Sequence, residues 1–155
     1  MGLVDTVRVR VMDRLGQLQW LAPLIGRLAV GLVFMSTGWG KVHNLAKVTH
    51  FFEELGIPAA NLQAPFVSTL ELVGGTCIVL GLATRLFSVS LMFSMVVAIL
   101  TAKRADLHGL FDLVGFDEFT YLSVLAMLVI LGPGKLSLDT LVVRQLGWGD
   151  RPRAA

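Results

Sequence analysis

Charge is scarce in this chain and cysteine almost absent. Charged residues make up 15% of its 155 positions, against about 25% in a soluble globular domain. The single cysteine, Cys77, excludes an intramolecular disulfide, a CxxC redox pair and a cysteine-built zinc site within the chain. Histidine is confined to three positions. None falls inside an apolar run, so the pattern offers no haem ligand at membrane depth. No nucleotide-binding glycine motif occurs. The net charge is only +2 and the cations gather toward the ends, which suits membrane orientation rather than a nucleic-acid footprint.

What the chain has instead is hydrophobic length. Hydrophobic residues make up 55% of it and its mean hydropathy is +0.75. A membrane-spanning helix needs about 20 apolar residues, and four runs qualify by position. The first extends from about Trp20 to Trp39, with an indole ring at each interface, and Gly38 and Gly40 are expected to loosen its exit. The second extends from about Pro65, a proline in a first turn, to Ala83. The third runs from about Leu86 to Ala102, with only Thr84 and Arg85 before it, so the two form a tight hairpin. The fourth, Glu118 to Leu131, is short and is stopped by Gly132-Pro133-Gly134. The expected fold is all-α: an up-down four-helix transmembrane bundle spanning residues 20–140, with an amphipathic external segment between helices 1 and 2.

The flanking segments are of a different kind. Residues 1–19 read as a cytoplasmic N-terminal segment, in which Val4, Val7, Val11, Leu15 and Leu18 recur at helical spacing and suggest either a surface-lying amphipathic helix or a frayed end. Met1-Gly2 with Thr6 fits the short myristoylation pattern, and the early arginines resemble a signal peptide. The apolar run is too long for a signal h-region and is interrupted by Arg27, so a retained first helix is expected. Lys41 to Ala64 form the longest connection, with a short amphipathic helix from Phe51 halted by Gly56 and Pro58. Residues 141–155 form a tail. Eight cations (Arg8, Arg10, Arg14, Arg85, Lys135, Arg144, Arg151, Arg153) fall on one side of the spans and four (Lys41, Lys47, Lys103, Arg104) on the other. The more basic side faces the cytoplasm, so both termini are expected there.

Several ordered pieces resemble the DoxX family of small bacterial membrane proteins. They are Gly26-Arg27-Leu28-Ala29-Val30-Gly31-Leu32-Val33-Phe34, Gly38-Trp39-Gly40-Lys41, Gly56-Ile57-Pro58 and Glu71-Leu72-Val73-Gly74-Gly75. Leu80-Gly81-Leu82-Ala83-Thr84-Arg85 and Leu131-Gly132-Pro133-Gly134-Lys135-Leu136-Ser137-Leu138-Asp139 complete the set. The resemblance implies a four-helix protein of the bacterial cytoplasmic membrane. The family takes its name from an association with a quinol oxidase; its members often carry oxidoreductase labels, and some are linked to thiol and oxidative-stress pathways. One departure is visible. Ser36-Thr37-Gly38 lacks the histidine that many relatives place just before that glycine, so a histidine-based mechanism does not carry over.

Charges within a span are costly, about 2.5 kcal/mol or more each, and mark function or an internal pair. Arg27, Glu71 and Lys41 are the intramembrane polar candidates. Arg27 reads as a snorkelling or register-setting arginine, with a ligand site as the alternative. Helical side chains lean toward the helix N-terminus, so antiparallel helices aim Lys41 at Glu71, and an Arg27–Glu71 pair is the alternative. Trp39 and His43, with His50, Phe51 and Phe52, could contact a quinone, or could be a row of interfacial aromatics and surface histidines. Cys77 reads as a packing residue. Gly74 and Gly75 permit close helix contact, and Ser90, Ser94, Ala98 and Ala102 form a small-residue ridge expected to face another helix. The function expected is an accessory membrane subunit of a redox or oxidative-stress system, with quinone the candidate cofactor, and catalysis by this chain alone is doubtful. The alternatives are a non-enzymatic scaffold or assembly factor docking another protein, and a transporter formed by an oligomer. Partners are the lipid bilayer and a protein or a further copy of the chain.

Overall fold

The computed structural model describes residue 16 and residues 18–145. All but residues 16, 18 and 19 of the expected N-terminal segment, and the last ten residues of the tail, lie outside the described residues. The described residues form helices joined by short turns and loops, with no strand among them. In chain order the elements are α1 (Leu21–His43), α2 (Leu45–Glu54), α3 (Ala60–Leu80) and α4 (Thr84–Thr101), a 3₁₀ turn (Arg104–Asp106), then α5 (Leu110–Gly115), α6 (Asp117–Leu131) and α7 (Leu138–Gln145). Helices α1, α3, α4 and α6 pack as a bundle, with the tightest seams between α1 and α3 and between α4 and α6.

Three helices, α1, α3 and α4, are long and apolar enough to cross a membrane. The fourth bundle helix, α6, has 15 residues, about 22 Å at ~1.5 Å per residue, short of the ~30 Å hydrocarbon core. The outward faces carry large apolar side chains: Ile25 is 62% exposed, Phe93 72% and Ile130 76%. Water-facing surfaces seldom hold such residues in contiguous patches; lipid-facing ones must. The core is apolar too, built from Val30, Phe34, Ile78, Leu91, Met95, Leu125 and Leu128.

Besides the hairpin turn, which is residues 81–83 while Thr84 and Arg85, expected to form it, open α4, two element boundaries differ from the sequence reading. Helix α1 runs straight through Gly38 and Gly40 to His43. Gly38 is there for contact: a Cβ on it would overlap the backbone of Glu71 and Leu72 on α3. Gly31 and Gly75 play the same part, since a Cβ on Gly75 would stand 2.8 Å from the Gly31 carbonyl oxygen. The α1–α3 seam is therefore backbone against backbone, the approach that glycine allows between membrane helices. The second difference lies in the connection. Helix α2 begins at Leu45, not Phe51, and α3 begins at Ala60, so Pro65 sits inside α3. The proline leaves the Asn61 carbonyl without its helical partner, which is tolerable near an exposed helix end.

Helix ends are closed by recognisable devices. At the end of α2 the Ile57 N–H donates to the Phe52 carbonyl and the Gly56 N–H to that of Glu53, with Gly56 at φ +69. Leu82 to Cys77 and Gly81 to Ile78 repeat the pattern at the end of α3, with Gly81 at φ +72. Both are Schellman terminations, for which a left-handed glycine is the natural residue.

Candidate functional site

Polar side chains collect at the two ends of the bundle, and the two groups do different things. At the end where α3 turns into α4, Arg27 is 2% exposed. Its Nε donates to the Ile78 carbonyl at 2.9 Å and its Nη2 to the Val79 carbonyl at 2.6 Å. Its Nη1 donates to Pro133 O at 2.8 Å and Leu136 O at 2.7 Å. Four backbone carbonyls, two of them at a helix C-terminus where a cation is favoured, compensate the buried charge. Arg27 does not snorkel to the surface, as the sequence reading allowed; it sets register by tying α1 to the end of α3 and to the Gly-Pro-Gly turn. The carboxylate of Asp139 works at the same end of the bundle, on the N-terminus of α4. Its Oδ1 accepts from the Ala83 N–H at 2.8 Å and its Oδ2 from the Thr84 N–H at 3.3 Å, and an anion at a helix N-terminus suits the dipole of α4. The same contact holds Ala83 at φ +46, a left-handed conformation costly for a residue with a Cβ.

The second group lies toward the α2 end and lines a cavity of about 490 Å³, within the usual range for small-molecule sites. From α1 come Val33, Phe34, Thr37 and Lys41; from α3, Phe66, Val67, Leu70 and Glu71. Helix α4 supplies Ser90, Phe93, Ser94 and Ala98, Ala102 and Lys103 follow its end, and α6 supplies Glu118 and Tyr121. Phe51 and Phe52 of α2, with Leu55 and Ile57, close the α2 end. Tyr121 is braced by an edge-on contact with Phe34, ring centroids 5.9 Å apart.

The polar focus of the cavity is an ion pair. Lys41 Nζ donates to Glu71 Oε1 at 2.6 Å. Thr37 Oγ1 lies 3.1 Å from Glu71 Oε2 and 3.2 Å from the Phe34 carbonyl, so its single proton serves one acceptor at a time. The pair is lopsided: the Glu71 side chain is 2% exposed and that of Lys41 36%. The carboxylate is thus held fast while the ammonium, with three donors and one spoken for here, fronts the cavity. Because α3 starts at Ala60, Glu71 sits near the middle of its helix, deeper than the sequence reading placed it. Arg27 and Glu71 engage different partners at different levels, so the alternative Arg27–Glu71 pairing does not form.

Trp39 and His43 are brought together but not into the cavity. Their rings lie 4.3 Å apart, and His43 Nδ1 is 2.9 Å from the Trp39 carbonyl. Each is two residues from Lys41, about 200° around the helix, so both face away from it. Neither of these expected ligand contacts is among the residues lining the cavity. Of their expected neighbours, Phe51 and Phe52 do line the cavity, whereas His50 pairs with Glu54 at 3.4 Å on the surface. The small-residue ridge is also placed differently. Ser90, Ser94, Ala98 and Ala102 form a wall of the cavity, and the buried residues of α4 are Thr84, Ser88, Leu91, Met95 and Ile99. Gly74 meets Phe87 and Leu91 within the α3–α4 hairpin, while Gly75 serves the α1–α3 seam. Cys77 is half-buried and outside the cavity. Among the described residues, no three His, Cys, Asp or Glu side chains converge as a metal site would require. Thr37, Phe66 and Tyr121 escaped the sequence reading of the site, because nothing in their local pattern separates them from other helix residues.

Comparison with known proteins adds the following. The family model for DoxX matches residues 22–104. "Uncharacterized membrane protein Rv3486" of Mycobacterium tuberculosis (strain ATCC 25618 / H37Rv) is 40% identical over 124 residues, covering 73% of this chain and 76% of the relative. "Inner membrane protein YqjF" of Escherichia coli (strain K12) is 30% identical, covering 81% of this chain and 95% of the relative. "Putative oxidoreductase CatD" of Bacillus subtilis (strain 168) is 31% identical, covering 80% and 89%. No solved structure matches the chain.

Proposed function

This chain belongs to the DoxX family, and on that premise we propose that it is an accessory membrane subunit of a redox system whose cavity receives a quinone. The observation that carries the reading is the cavity: aromatic and aliphatic walls around the Lys41–Glu71 ion pair, whose cationic half is accessible, with Lys103 and Glu118 the other charged residues on the lining. Apolar pockets with few, well-placed polar groups are the usual form of small-molecule sites. A bound quinone supplies electron and proton transfer. The chain's own contribution is positional: Lys41 offers N–H donors to a carbonyl oxygen, Glu71 holds the ammonium in place, Tyr121 offers a hydroxyl, and α2 limits access of water. The name of the B. subtilis relative agrees with a redox setting. With one cysteine the chain has no dithiol of its own, so a partner would complete the electron path.

The proposal includes topology. Both termini are cytoplasmic, the α2 end is external, and α6 makes the fourth crossing. The eight-to-four bias of cations, the names of the inner-membrane relatives and the packing of α6 along α4 support this. Purification from native membranes in mild detergent, with bound lipids and copurifying proteins identified together, tests the function. Quinone in the wild type and its loss in Lys41→Met would support the reading. A stoichiometric protein partner with no quinone would replace it with the scaffold reading.

A further inference from the structure

We infer that the cavity fills from the lipid phase and that its ligand is a tailed, neutral molecule, the head's carbonyl oxygen at Lys41 and the tail along the small-residue wall of α4. The inference rests on the reading of the cavity as a ligand site and adds a route, a pose and a chemical class.

Consider first the route. Phe66 of α3 and Phe93 of α4 both line the cavity, yet they are 65% and 72% exposed. A side chain that touches both an internal space and the outside marks where the two communicate. Both residues lie within helices long enough to cross a membrane, so the outside at this level is hydrocarbon. Near their connecting turn α3 and α4 are in contact, Gly74 against Phe87 and Leu91. Farther along, Val67 and Leu70 face the space that Ser94 and Ala98 also line. The hairpin therefore opens toward the α2 end, where apolar residues of α2 form the roof.

The pose follows from the walls. Ser90, Ser94, Ala98 and Ala102 succeed one another every four residues, about 6 Å per step and about 18 Å in all. Ser90 Oγ donates to its own helix, to the Leu86 carbonyl at 3.1 Å, as serines in membrane helices commonly do. Small side chains in a row leave a strip wide enough for an extended hydrocarbon chain. The Lys41–Glu71 pair lines the same space, and its two charges cancel, as do those of Lys103 and Glu118, the other charged residues on the lining. A net charge on the head would bring an uncompensated ion into a low-dielectric space, whereas a neutral carbonyl needs only the N–H donors that Lys41 retains.

Two measurements on the full chain in nanodiscs test this. With Cys77→Ser as background, a spin label on Ala98→Cys should collide readily with dissolved oxygen and poorly with a water-soluble nickel chelate. Equal access by the chelate would mean a water-filled cavity and overturn the lipid route. Binding is then compared for a decyl-substituted benzoquinone and the same ring without its tail. Ser94→Leu and Ala98→Leu should each weaken the tailed probe by about tenfold or more, roughly two methylene contacts' worth, and leave the tailless ring unchanged. If the leucines affect neither probe, or both equally, the tail groove is wrong while the ligand site stands. If neither probe binds the wild type, both readings fall. If the leucine variants change the oligomeric state by mass photometry, the wall is a subunit interface and the inference is overturned.

Discussion

Removing Lys41 should hurt more than removing Glu71, and removing both should hurt less than the two separately. The reason is the asymmetry of burial. In Lys41→Met the carboxylate of Glu71, 2% exposed, keeps at most one neutral hydroxyl, that of Thr37. Breaking a buried pair so that a charge is orphaned costs about 3–5 kcal/mol; the partly exposed lysine places this case at the lower end. In Glu71→Gln the amide can still accept from Thr37, and Lys41, 36% exposed, can turn its ammonium toward the surface. That cost should be about 1–2 kcal/mol. The double variant orphans neither charge and should cost about 2 kcal/mol, leaving a coupling of similar size between the positions. The assay is reversible unfolding in mixed micelles by rising dodecyl sulfate, followed by tryptophan fluorescence. Additivity within about 0.5 kcal/mol, the level at which independent sites add, would show that the 2.6 Å contact contributes nothing and would refute the reasoning.

Other expectations follow from the same contacts. Arg27→Met should lower stability by about 3–5 kcal/mol, because four carbonyls lose a charged donor; Arg27→Lys should recover only part, since an ammonium cannot reproduce the guanidinium fork, and a full recovery in thermal melts would contradict the clasp. Asp139→Ala should cost less, about 1 kcal/mol, as a lost helix cap does, with the same melts as the check. Gly38→Ala should destabilise by about 1–3 kcal/mol through overpacking against α3, while Gly40→Ala, whose Cβ meets nothing within 4 Å, should be neutral or stabilising by up to about 1 kcal/mol; equal effects would mean α1 and α3 do not meet at Gly38. A cysteine at Asn61, in a Cys77→Ser background, should react with an impermeant thiol reagent applied outside intact cells, and labelling only after lysis would reverse the proposed topology.

Much of this architecture is legible in the chain before it folds. Apolar runs of membrane length are a one-dimensional property, so the helices and their order follow from counting. The Lys41–Glu71 contact could be anticipated for a similar reason: antiparallel helices whose side chains lean toward their own N-termini converge. The orientation of Trp39 and His43 follows from the same helical geometry, since two residues of helix amount to about 200°. Helix boundaries were harder. Gly38 is a helix breaker by propensity, and only the backbone of α3 beside it shows why it stays in a helix.

The sequence by itself determined that this protein is helical and apolar and which charges are too deep to be accidental, because hydropathy and 3.6-residue periodicity are properties of neighbours along the chain. Tertiary structure alone decided what those charges do and what the small residues of α4 face. The carbonyls that satisfy Arg27 lie 51 to 109 positions away, and a backbone acceptor carries no mark in a side-chain sequence. The ridge from Ser90 to Ala102 reads the same whether a helix, a lipid or a cavity lies against it. The difference is set by the angle at which α3 and α4 part, and that angle belongs to the packing of the whole bundle.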